Sequence, residues 1–167
     1  MFTTIKEFVD TYSSECDNTL KILGALTDSS LGQAVAPDHR TIGRLAWHIT
    51  TSVPEMCGKA GLEQFSLGED TPLPHLAAAM QRGYDAVSRE LLEQIAARWT
   101  DDTLREVRNF YGFDWSLGFA MGVFLRHEIH HRGQMTVLMR QAGLKVPGVY
   151  GPSLEEWANY GSPPPKV

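Results

Sequence analysis

Apolar residues recur at Ile5, Phe8, Val9, Tyr12, Cys16, Leu20, Leu23 and Leu26, the three-and-four spacing that gathers side chains on one face of a helix. This predicts a first helix over 4–26. The stretch TDSSLGQAVAPDHR interrupts it with turn formers and a proline. Ile42, Leu45, Ile49, Val53 and Met56 then resume the period, which predicts a second helix over 38–59 with a bend at Pro54. After a polar loop, Thr71 reads as an N-cap with Pro72 at the first helical position, followed by Leu76, Met80, Tyr84, Val87, Leu91 and Ile95. The third helix is expected over 73–99. A fourth, starting near Asp114 or Ser116, carries Leu117, Met121, Phe124, His131, Met135, Leu138 and Ala142 and closes on Gly143, so 115–142 is assigned to it. Four long helices with medium connections define an all-α fold, a four-helix bundle forming a single domain over 1–167.

Two segments escape the helical period. Residues 100–114 read equally as a short hairpin around Gly112 or as a long loop. The C-terminal stretch from Leu144 is rich in Pro and Gly, and it is expected to lie across the bundle as a covering tail. Ser153 and Glu156 have capping-box spacing, which predicts a helical turn over Ser153–Trp157 with the Trp157 ring packed inward.

Composition narrows the function classes. No apolar run approaches the roughly 20 residues of a bilayer span, and the start MFTTIKEFVD is acidic and amphipathic where a signal peptide would be basic and then apolar. A cytoplasmic location without membrane partners is expected. Cys16 and Cys57 are the only cysteines, too few for a disulfide framework and not arranged as C-x-x-C, so both read as reduced structural thiols. A net charge of −5 repels phosphate backbones and argues against nucleic acid.

The chemistry concentrates in FLRHEIHHRGQ, where His127-Glu128-Ile129-His130-His131 satisfies H-E-x-x-H, a pattern in which two helical histidines hold zinc. His127 and His131 are four apart and stack on one face, shared with Ala120, Phe124 and Leu138, so the pair looks into the bundle. Burying two unpaired imidazoles costs a few kcal/mol, which calls for an ion or a third donor. His48, beside Ile49 on the edge of the second helix's apolar face, supplies one. Three imidazoles leave a coordination position open, as exchangeable and catalytic sites do. Glu128 and His130 each lie roughly 80° from the middle of the clamp and are not natural ligands from this helix. With Gln134 they are the candidates for a catalytic polar group facing the open position. His39 and His75 read as solvated. A metallopeptidase reading would recruit Glu155 or Glu156 as third ligand, but that architecture needs a strand before the zinc helix and none is evident.

The segments TIGRLAWHI, HEIHHRGQMTVLMRQAGLKVP and YGPSLEEW resemble the DinB/YfiT-like superfamily of metal-dependent enzymes over nearly the whole chain. The resemblance implies a four-helix bundle with one divalent metal ion, zinc or nickel, on His48, His127 and His131. Relatives of known activity are mostly thiol-dependent, including bacillithiol and mycothiol S-transferases and maleylpyruvate isomerase. By resemblance, then, the expected activity is a metal-dependent transferase or isomerase that uses a low-molecular-weight thiol on a small-molecule substrate. A non-catalytic metal-binding or stress-related module and a metal-free bundle are the alternatives from other classes. Bundles of this kind often pair through a helical face, so a homodimer is expected.

Overall fold

In the computed structural model, which describes residues 1–166, four helices are present: α1 (Ile5–Gly24), α2 (Ile42–Lys59), α3 (Ala77–Arg98) and α4 (Leu117–Gln141). Three begin at hydroxyl caps, because Thr4, Thr41 and Ser116 accept from the backbone amides of Glu7, Arg44 and Phe119 and so satisfy donors the helix cannot. α3 is different. Its predicted cap at Thr71 is not used, and the helix starts at Ala77, several residues later than the expected 73. Asp28, from the short 3-10 turn after α1, reaches across to accept the Ala77 amide at 2.7 Å. Thr71 is instead held in the preceding loop, where its carbonyl accepts from the Trp47 indole at 2.9 Å and its hydroxyl from the Gly68 amide. α2 likewise starts at Ile42, not Asp38, since the Ile42 and Gly43 amides bond back to the Gln33 and Leu31 carbonyls. α2 continues through Pro54, and in the turn before it Thr50, Thr51 and Ser52 each donate a hydroxyl to the carbonyl four residues back.

α1 packs chiefly on α3 and α4, and α2 packs on the same two helices. The cyclic order is therefore α1, α3, α2, α4, and the segments 25–41 and 99–116 are crossovers between diagonal positions. The core between the helices includes the aromatic run Phe2, Phe8, Tyr12 and Phe124, with successive centroids 5.2–5.5 Å apart.

The ambiguous segment before α4 is a hairpin, β1 (Val107–Phe110) against β2 (Phe113–Ser116), antiparallel with Phe110 opposite Phe113. Tyr111 and Gly112 both have positive φ, the signature of a type I′ turn. Tyr111 tolerates it because its hydroxyl donates to Glu55 at 2.7 Å and Lys59 lies over its ring, which anchors the tip to α2. The C-terminal stretch buries Val146 and ties Glu155 to Arg140 of α4. The 3-10 helix there falls at Trp157–Tyr160, later than predicted, and follows a turn in which the Glu156 amide bonds the Ser153 carbonyl while its carboxylate accepts from the Ser153 and Gly148 amides, one half of the expected capping box. Trp157 is half-buried and lies outside the core cluster, so the inward packing expected of it is met only in part.

Gly118 shows how tightly α4 is seated. Its carbonyl accepts the Phe2 amide at 3.1 Å, and a Cβ there would run into the Phe2 carbonyl. Gly118→Ala is expected to cost about 1–3 kcal/mol in urea unfolding. Gly133→Ala, on the same helix with open space around it, should be neutral or gain up to about 1 kcal/mol. Equal effects at the two positions would refute the close-approach account.

Candidate metal centre

α2 and α4 are neighbours, and their facing surfaces bring His48, His127 and His131 together. The His127 Nε2 atom lies 3.1 Å from Nε2 of His48 and 3.2 Å from Nε2 of His131, and the three ligand atoms fall within 4.8 Å of one another. Two nitrogens that share a tetrahedral ion at 2.0–2.1 Å stand about 3.3 Å apart. The donor set and spacing therefore fit one small divalent ion. The rings meet edge to face, with centroids 4.5–4.9 Å apart.

Protonation states favour the same reading. Burial lowers the pKa of His48 to about 4, assisted by the charges of Arg40, His131, His127 and Arg44. His127 is lowered to about 4, by burial first and then by His131, His130 and Arg40. His131 is also lowered by burial, against the opposing effect of its bond to Gln134. All three are neutral at pH 7. His131 Nδ1 donates to Gln134 Oε1 at 2.8 Å, which leaves its Nε2 as a lone pair turned toward the other two rings. His127 Nε2 carries at most one proton and cannot satisfy both neighbours. A cation at the centre satisfies all three.

A cavity of about 510 Å³ adjoins the cluster at His131, and its lining also includes Gln134, Arg40 and His39. An imidazole of the cluster and the Arg40 guanidinium thus border the same space.

The sequence profile of the DinB family matches residues 1–166. The chain belongs to the DinB family. It is 41% identical to the uncharacterized protein YrdA of Bacillus subtilis over 167 residues, the full length of both. A DinB-like protein of known structure from Bacillus cereus superposes with a TM-score of 0.86 at 42% identity, over 90% of this chain and all of that one. A second DinB-like protein, YjoA of Bacillus subtilis, has a TM-score of 0.68 at 16% identity over 86% of this chain and 97% of its own, which supports the fold alone.

In this DinB bundle the other residues singled out from the sequence scatter. Glu128 does not face the cavity. It is 2% exposed, and its Oε1 accepts from Thr19 of α1 and Tyr84 of α3, while burial raises its pKa. His130 is exposed and accepts from the Gln134 amide at 3.1 Å, so it touches the site only through Gln134. Gln134 alone among the three candidates lines the cavity. Glu155 and Glu156 are engaged by Arg140 and by the Gly148 and Ser153 amides, and neither joins the histidine cluster. The H-E-x-x-H match is therefore a matter of spacing, with its glutamate turned into the core. His75 is exposed as expected, but His39, also exposed, borders the cavity. Helical periodicity had no means of finding Arg40, which lies in the loop before α2.

Replacing His48 by Ala should weaken zinc binding at least about a hundredfold by calorimetry. Glu155→Gln with Glu156→Gln, or His130→Ala, should leave it within severalfold. Loss of binding in the glutamine variant alone would overturn the assignment. A pH dependence follows as well. Because burial pulls these imidazoles below their ordinary value of 6.5, the unfolded chain binds more protons than the folded one between about pH 6.5 and 4, so the metal-free fold loses stability as pH falls through that window. Zinc affinity should nevertheless hold nearly constant from pH 7.5 to 5.5. Two imidazoles of ordinary pKa would by themselves lose about a hundredfold over that range, and a drop of that size would show that the rings are not depressed.

Proposed function

We propose that this DinB protein is a metal-dependent transferase or isomerase in which His48, His127 and His131 hold a divalent ion, zinc or nickel, and a low-molecular-weight thiol is the nucleophile. The observation that carries the reading is the convergence of three neutral imidazole nitrogens beside an open cavity. When bound, the ion supplies Lewis acidity that favours thiolate over thiol at neutral pH. The chain's own sulfurs are unsuited to that role. Cys16 and Cys57 are buried, burial pushes Cys16 up to about 12, and Cys57 is raised further for the same reason. The nucleophilic sulfur must therefore come from outside. Gln134 fixes the His131 tautomer from the cavity wall and is the residue placed to orient a substrate beside the ring. The cavity falls within the 300–1,000 Å³ typical of small-molecule sites, which favours a metabolite-sized ligand.

The test is a panel of thiols, including cysteine, coenzyme A and bacillithiol, offered with 1-chloro-2,4-dinitrobenzene to zinc-loaded, nickel-loaded and metal-free protein. At least one thiol should form the thioether at a metal-dependent rate that His48→Ala abolishes. Tight ion binding with no turnover for any thiol would replace the enzyme with a metal-binding module.

A further inference from the structure

We propose that the cavity beside the histidines receives a small organic carboxylate, its anionic end held by Arg40 at the rim and its apolar body lying against Val35, Leu45, Val137 and Leu138. For the direction in which the ligand points its reacting end, toward His131, this rests on the metal-centre reading above; the anion subsite itself does not. Three observations carry it.

First, the cavity is chemically mixed. Arg40 and His39 line it together with four aliphatic side chains, two of which, Val137 and Leu138, come from α4. Such a site matches a ligand with one charged end. Second, Arg40 has no partner. Among the described residues its side chain takes part in no ion pair or hydrogen bond, which is also true of Arg44, Arg82, Arg98 and Arg126, but of these five Arg40 alone lines this cavity. In a chain of net charge −5 its guanidinium is free to take a carboxylate there. Third, the other donors at the cavity are engaged, and Arg44, though unpaired, is not part of its lining. Arg40 immediately precedes α2, but the first amides of that helix are already spoken for: Ile42 by Gln33, Gly43 by Leu31 and Arg44 by Thr41. His39 directs its Nδ1 at the Pro37 carbonyl, 2.8 Å away. The Arg40 side chain is left as the donor.

The probes are 4-phenylbutanoate and its neutral analogue 4-phenylbutanamide, titrated by NMR into the full chain with and without zinc. The acid should bind about tenfold or more tightly than the amide, as a charge-assisted contact requires. In Arg40→Gln the two should fall within about twofold of each other, and Arg40→Lys should retain part of the preference. An acid preference that survives Arg40→Gln would place the anion elsewhere, for instance on the metal, and overturn the proposal. Equal binding of acid and amide by the wild type, or no binding of either at millimolar concentration, would overturn it too. Zinc affinity measured separately keeps the two readings apart. A wild type that fails to bind zinc defeats the metal centre, while the metal-free arm still decides the role of Arg40.

Discussion

The rotation of α4 about its own axis is the constraint on which the rest depends. His127 and His131 occupy one strip of that helix, and Glu128 and Arg132, one residue on, occupy the strip about 100° away. Arg132 is 2% exposed. It donates to the Glu15 carbonyl, the Glu15 carboxylate, the Thr19 hydroxyl and the Tyr150 hydroxyl, while Thr19 donates in turn to Glu128. An arginine and two carboxylates in a core cost several kcal/mol each unless these bonds are made with good geometry. The bonds are made only when that strip faces α1 and α3. Turning α4 by one residue would strand the charges, so the same network that anchors the helix aims the histidines at α2.

A bonded polar network on one side and converging nitrogens on the other give α4 two distinct faces. The Glu128 side is closed, with Tyr84 and Thr19 both donating to Oε1, although Oε2 is buried without a partner. The histidine side is open to a cavity and held together by rings that repel protons. Burial produces both conditions, since it forces ionic groups to pair and basic groups to stay neutral.

Much of this was legible in the sequence, for reasons that differ by residue. Periodicity located the four helices because each buries one stripe, and His48 was found because it sits on the edge of such a stripe beside Ile49. The same arithmetic showed that Glu128 points away from the clamp, yet it could not name Thr19 and Tyr84 as its partners, which come from other helices. The start of α3 was misplaced for the same kind of reason. Thr71 and Pro72 form a good local cap, but the donor at Ala77 is satisfied by Asp28, a residue 49 positions earlier. The hairpin was ambiguous because its turn uses Tyr111 at positive φ, which no short-range rule favours over glycine or asparagine. Arg40 belongs to no periodic element, and its meaning arises only where the loop meets α4.

His48 and His127 are separated by 79 residues, with α3 and both strands of the hairpin between them. Closing so long a loop carries an entropic cost that a pair of imidazoles cannot offset in a loose chain. During synthesis α2 leaves the ribosome long before α4 exists, and diagonal crossovers delay their meeting further. An ion bound there would therefore have no nucleating role in folding. It would be captured by the completed bundle, and stability would rise with the logarithm of its free concentration once that exceeds the dissociation constant.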